Sequence, residues 1–206
     1  MTNIQYYTKV GVYTDHKSFE KQRYGRNKET LVNHRYINTG EYRRKFDLIT
    51  DNIKVNNLLY KIAKDILTHR SGSLLEDMYW IDMDEAKIVA SQINSTKEKK
   101  IIYSKNIQKI IKNYKNIITI HSHPQSYPPS LNDFNSNFEH RYNLGIVCCH
   151  DGRIFMYSSN EFIPEDFYKI AIVKNLKKGY NEYKSQIYAL NELQKNFAIN
   201  FKEVLL

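Results

Sequence analysis

Residues 117–124 of this chain are IITIHSHP, and the segment SLND follows at 130–133. The β-branched apolar run 117–120 is typical of a buried strand. In an extended backbone residues i and i+2 point to the same side, so both His121 and His123 can face one point. Asp133 follows at the predicted start of a helix. Two neutral imidazoles and one carboxylate are a common ligand set for catalytic zinc, which keeps its fourth position for water.

At these residues the chain resembles the JAMM (MPN+) zinc metalloproteases, in their prokaryotic or phage-associated branch. The resemblance rests on His121-Ser-His123-Pro followed by Ser130-x-x-Asp133 and covers residues 52–157. Six residues separate His123 from Ser130, one fewer than is usual in the family. The resemblance implies one Zn2+ ion per chain, held by His121, His123 and Asp133, with Ser130 as the donor to a developing oxyanion.

The resemblance also implies a glutamate general base near the end of a first helix and the start of a strand. Glu76 occupies that place, and Asp77 is the alternative. Strand alternation puts the two side chains on opposite faces, so only one of them can point inward. The alternative interpretation, which needs no metal, is that Glu76 and Asp77 are both solvent-exposed acids at a sheet edge.

The fold prediction follows from hydrophobic periodicity. A helix starting at Asp51 or Asn52 and ending near His69 is followed by strands at 74–82 and 87–93, a helix capped by Ser104, and the strand at 117–120. Ser130-x-x-Asp133 also fits a helix capping box. A strand hairpin then turns at 150–152, and helices follow from Pro164, broken at Gly179.

This order predicts an α/β (α+β layered) fold, a JAMM/MPN-like central mixed sheet flanked by helices. We divide the chain into a basic N-terminal arm at 1–50, a metalloprotease-like core at 51–160 and a C-terminal helical extension at 161–206 that packs on the core. Within the arm, residues 6–13 are a candidate short strand.

Composition narrows the class of protein. An apolar content of 41% and an aromatic content of 13% exclude a wholly disordered chain. No apolar run is long enough to span a bilayer and no signal pattern begins the chain, so we expect a cytoplasmic protein without membrane partners. Cys148 and Cys149 are expected to be buried free thiols. His150 is expected to be a structural turn residue, and the alternative is a metal site formed by Cys149 and His150.

The net charge of +9 is spread along the chain and leaves the partner class open. The basic stretch Arg43-Arg44-Lys45 is either a contact for nucleic acid or another partner, or a solvated face beside the packing anchors Tyr42 and Phe46. We expect hydrolysis of a peptide or isopeptide bond in a protein or peptide substrate. The alternatives are a non-catalytic MPN-type interaction module and a nucleic-acid-associated protein, and the sequence does not indicate an oligomeric state.

Overall fold

A computed structural model describes residues 28–98 and 101–206 of the chain. The candidate strand at 6–13 in the N-terminal arm lies outside the described residues.

One mixed sheet of six strands forms the centre of the described structure. Its spatial order is β2-β1-β3-β4-β5-β6, and only β3 and β4 pair in parallel; all other neighbours are antiparallel. This sheet with helices on both faces confirms the predicted α+β layered class. The strands are β1 (Met78–Asp82), β2 (Lys87–Gln92), β3 (Ile117–His123), β4 (Leu144–Cys149), β5 (Ile154–Ser159) and β6 (Ile199–Glu203).

Seven α-helices occur in the described part of the chain and cover the sheet. The first two, of four and seven residues, lie within the segment predicted as an arm, and they pack into the same core as the long helix that follows. The helices are α1 (His34–Ile37), α2 (Gly40–Phe46), α3 (Ile53–Arg70), α4 (Lys105–Ile111), α5 (Leu131–His140), α6 (Glu165–Lys177) and α7 (Glu182–Asn196).

Helix α3 shows how local signals fix an element. The Asn52 side chain caps it by accepting from the backbone N–H groups of Lys54 and Val55. Its apolar stripe is buried against the sheet face formed by Ile118, Ile120 and their neighbours on β4 and β5. Gly72, just past the helix end, has a φ of 78°, the left-handed conformation that favours glycine after a helix.

The opposite face of the sheet packs against the remaining helices. Trp80 and Ile117 contact α4, while the β4–β5–β6 side packs against α5, α6 and α7. β6 is an element that the sequence interpretation did not contain: the chain was expected to stay helical to Phe197, but it returns as an edge strand beside β5. Among residues 28–98 and 101–206, no helix combines the length and apolar character needed to cross a bilayer.

The connection from β3 to β4 positions the site. Because the two strands are parallel, the chain must cross over between them, and it does so through α5. The carboxyl end of β3 therefore lies beside the amino end of α5. The carboxyl ends of strands at such a crossover are where ligand sites of α/β sheets commonly form.

Candidate metal centre

Strand β3 delivers two histidines to one face of the sheet. It is central, between β1 and β4, and all seven of its residues are buried. His121 lies opposite Met78 on one side and Val147 on the other, and His123 ends the strand. The two Nε2 atoms are 3.0 Å apart, as the i, i+2 spacing predicts.

Helix α5 delivers the carboxylate through its first turn. Ser130 is the N-cap: its Oγ accepts from the Asp133 backbone N–H at 3.2 Å, and Asp133 Oδ2 accepts from the Ser130 N–H at 2.6 Å. This is the predicted capping box. Asp133 Oδ1 lies 3.4 Å from His121 Nε2, and Oδ2 lies 3.5 Å from His123 Nε2.

The structure therefore brings together the three residues predicted as ligands. One ligand atom from each of His121, His123 and Asp133 lies within 4.8 Å of the others. Tetrahedral ligands at about 2.0–2.1 Å from zinc lie about 3.3–3.4 Å apart. The two Nε2 atoms are 3.0 Å apart, and each has a different Asp133 oxygen at a similar distance, 3.4 Å for His121 and 3.5 Å for His123. The donor set therefore suits a four-coordinate ion with one position left open.

A second layer of contacts orients one of the rings. His123 Nδ1 is 2.9 Å from the Tyr127 carbonyl oxygen, which can only accept, so Nδ1 carries the hydrogen. When that ring is neutral, the Nε2 lone pair faces His121 and Asp133. A ring N–H bound to a carbonyl is the usual support of a metal-binding histidine. In the described part of the chain, the buried Nδ1 of His121 has no hydrogen-bond partner.

Burial and charge act in opposite directions on the three groups. Burial lowers the pKa of His121 below its usual value, against the raising effect of Asp133. Burial also favours the neutral form of His123, but the hydrogen bond and charge of Asp133, with the charge of Glu76, raise its pKa to about 9. Burial would raise the pKa of Asp133, yet the two histidines hold it well below its usual range. The charge and hydrogen bonds of Asp133 thus favour a positive charge at His123, and a metal bound there would compete with its protonation.

Glu76 and Asp77 were predicted within a strand at 74–82, but β1 begins only at Met78, and the two acids just before it have different surroundings. Glu76, two residues before β1, is half-buried, and its charge reaches His123. Asp77 is 1% exposed and binds Arg70 Nε at 2.5 Å and His69 Nδ1 at 2.6 Å, both at the end of α3. Asp77 is therefore engaged in an ion-pair network at the end of α3, and Glu76 is the acid of the two whose charge acts on His123.

The other predicted candidates border this cluster without joining it: Cys149 pairs with His123 across β4 and β3, and the His150 N–H donates to the His123 carbonyl. Cys148 and Cys149 are free and buried, and burial raises the pKa of both thiols. His150 donates its Nδ1–H to the Thr30 carbonyl at 2.6 Å, so it fastens the β4–β5 turn to the segment before α1. Neither Cys149 nor His150 belongs to the metal-compatible group found among the described residues.

The basic stretch in α2 is partly engaged within the protein. Lys45 is buried and its Nζ donates to the Gly152 carbonyl at 3.2 Å. Arg43 pairs with Asp47 at 2.5 Å, while Arg44 is exposed. Tyr42 and Phe46 are fully buried and act as the packing anchors of this helix.

Two contributors to the site had no sequence signal. The Tyr127 carbonyl is a backbone group in the loop between β3 and α5, and Glu182, which binds the Tyr127 hydroxyl at 2.9 Å, is 55 residues further along the chain. The prolines around Tyr127 were the only sequence feature that indicated a stiff loop, because proline fixes its backbone φ angle. Comparisons of the chain with protein-family models, curated proteins and solved structures found no match.

Proposed function

We propose that this protein is a zinc-dependent peptidase or isopeptidase. The observation that carries the proposal is the convergence of His121 Nε2, His123 Nε2 and the Asp133 carboxylate within 4.8 Å of one another, with the charge of Glu76 acting on His123. The JAMM-like motif of the sequence supports the same chemistry at the same residues.

The three converging side chains would hold the zinc ion and leave one coordination position open. When bound, zinc lowers the pKa of a water ligand from 15.7 to about 7 and polarises a carbonyl oxygen. The proton transfers are carried out by a side chain of the protein. Glu76 accepts a proton from the attacking water and passes it to the leaving amine, as a general base and then a general acid.

Ser130 is the proposed donor to the oxygen of the carbonyl under attack. Its Oγ accepts from the Asp133 N–H, which leaves its own hydroxyl hydrogen free to donate elsewhere. Removing a donor of this kind typically costs about 2.7–4 kcal/mol of transition-state stabilisation. The capping role and the donor role of Ser130 are therefore compatible.

We further propose a peptide or protein substrate and a cytoplasmic location. The two buried free thiols of Cys148 and Cys149 support a reducing compartment.

The first test is the metal content of the purified chain beside a His121→Ala/His123→Ala variant. About one zinc per chain, lost in the variant, is the expected result. Absence of metal from both proteins after zinc is supplied would refute the proposal.

The second test addresses hydrolysis. Cells producing the active chain are compared with cells producing Glu76→Gln by mass spectrometry of protein N-termini across the proteome. New N-termini that depend on Glu76 are expected, since the variant keeps the three ligands but lacks the base. Identical sets of N-termini, with equal zinc content, would count against a peptidase.

A further inference from the structure

The loop at 124–129 connects the last residue of β3 to the first turn of α5, so it lies between the predicted ligands. Tyr127 in this loop contacts two parts of the protein at once. Its backbone carbonyl accepts from His123 Nδ1 at 2.9 Å, and its hydroxyl donates to Glu182 Oε2 at 2.9 Å. A single residue thus joins a ligand of the candidate metal centre to the first residue of α7.

Glu182 is itself held in place. It opens α7, where a carboxylate is favoured by the unpaired N–H groups and the dipole of the helix. Its second oxygen, Oε1, is 3.4 Å from Gln186 Nε2, one turn further along the helix, and Gln186 is 2% exposed. The acceptor for the Tyr127 hydroxyl is therefore fixed to the helix and not a freely moving surface acid.

The other side of the loop is fastened to the β4–β5 turn. Arg153 Nη2 donates to the Ser126 carbonyl at 2.9 Å, and the Asp151 N–H donates to Ser126 Oγ at 3.0 Å. Ser126 has a φ of 60°, a conformation that a serine holds only when its surroundings impose it. With Ser126 tied to the hairpin and Tyr127 tied to α7, the direction of the Tyr127 carbonyl is set from both sides.

We propose that Glu182 is a positioning residue of the metal centre. By accepting the hydrogen bond of the Tyr127 hydroxyl, it keeps the Tyr127 carbonyl on His123 Nδ1, and so keeps His123 Nε2 aimed at the point that Asp133 also faces. The C-terminal helices are then part of the site and not only a cover for the sheet. This inference rests on the proposed function, because it assigns Glu182 a role through a metal ligand.

The expected size of the effect follows from the order of the contacts. Loss of a group that directly orients a ligand typically lowers metal affinity by about 10–100-fold. Glu182 acts one hydrogen bond further out, through Tyr127, so we expect the lower end, about 10-fold. The effect should appear in metal affinity even where no substrate is present.

The test measures zinc affinity of the full chain by competition with a chromophoric chelator. Glu182→Ala and Tyr127→Phe should each bind zinc about 10-fold more weakly than wild type, and the double variant should be no weaker than either single one. Glu182→Gln should stay close to wild type: its amide oxygen accepts from Tyr127, and its NH2 group can donate to Gln186 Oε1, which is otherwise unpaired among the described residues.

The matched control is Glu192→Ala. Glu192 lies on the same helix and also binds a neighbour, Lys174 Nζ at 2.9 Å, but this pair lies apart from the loop. Its removal should leave zinc affinity unchanged. As a second readout, the visible spectrum of the cobalt-substituted protein should change in Glu182→Ala and Tyr127→Phe but not in Glu192→Ala, because that spectrum reports ligand geometry.

Three outcomes would overturn the inference. If wild type binds no zinc, the proposed function and the role of Glu182 fall together. If wild type binds zinc and the histidine variants do not, but Glu182→Ala and Tyr127→Phe bind as tightly as wild type, only the role of Glu182 is refuted. If Glu192→Ala loses as much affinity as Glu182→Ala, the effect is a general one of helix α7.

Discussion

Replacing Gly145 by alanine tests how tightly the sheet is packed beneath the metal centre. Gly145 on β4 lies opposite Tyr157 on β5, and a Cβ added at Gly145 would be 2.0 Å from the Tyr157 Cζ atom. The ring would have to move by about 1.4 Å to reach an ordinary contact. It cannot move freely, because it packs edge-on against Phe134 at 5.2 Å and against His121 at 6.3 Å between ring centroids.

Overpacking of a filled core typically costs about 1–3 kcal/mol, and the rigid ring places Gly145→Ala at the upper end, about 3 kcal/mol. The assay is urea denaturation of the zinc-free chain. Gly40→Ala is the matched control: Gly40 begins α2, and an added Cβ there meets nothing within 4 Å. Alanine should stabilise that helix by up to about 1 kcal/mol. A Gly145→Ala protein within about 0.5 kcal/mol of wild type would refute the packing argument.

Three further predictions concern single groups. Asp77→Asn leaves the buried Arg70 guanidinium without its carboxylate, so it should lower the free energy of unfolding, measured by urea denaturation, by about 3–5 kcal/mol. Glu76→Gln, at a half-buried position, should lower it much less. Burial lowers the pKa of His150 to about 4 in the folded protein, whereas in the unfolded chain the pKa is about 6.5. Between these two pH values only the unfolded state binds the proton, so the free energy of unfolding should fall by roughly 3 kcal/mol as the pH drops from 6.5 to 4. His150→Asn should flatten this part of the profile of unfolding free energy against pH. Zinc at about 100 times its Kd should raise the free energy of unfolding by about 2.7 kcal/mol, and His121→Ala should abolish this gain, as measured by urea denaturation with and without zinc.

The elements that could be predicted from the sequence are those whose signals are local. The helix that became α3 has a cap at Asn52, an apolar stripe and a terminal glycine, all within one segment. The β4–β5 hairpin turns at Gly152, where φ is 89°, as the Asp-Gly pair indicated. Such signals need no knowledge of the rest of the fold.

Strand β6 was missed because its formation is decided by a distant partner. Ile199 and Phe201 alternate with polar residues and are buried, so a strand signal was present. It is only five residues long and follows directly on a helical pattern, and what makes it a strand is its pairing with β5, some 40 residues earlier in the chain. Local periodicity carries no information about that long-range contact.

The membership of the candidate site could be predicted, but its support could not. Spacing placed His121 and His123 on one side of a strand, and the capping-box pattern placed Asp133 in the first turn of a helix. The sequence left Glu76 and Asp77 open as rivals, because the difference between them is Arg70, which reaches Asp77 only when α3 docks on the sheet. The Tyr127–Glu182 contact likewise depends on how the C-terminal helices fold back.

The capping box explains how a carboxylate in the first turn of α5 can be ready for a metal before one binds. The Asp133 Oδ2 atom accepts the Ser130 N–H, which fixes the rotamer of the side chain, while Oδ1 faces His121. A carboxylate offers about four lone-pair positions on two oxygens, so the cap uses only part of its capacity. Because the cap is formed by the backbone of the helix itself, the ligand is positioned without help from the metal. Capping and metal binding therefore do not compete for Asp133: the hydrogen bonds that begin α5 hold the carboxylate in the orientation that the two histidines require.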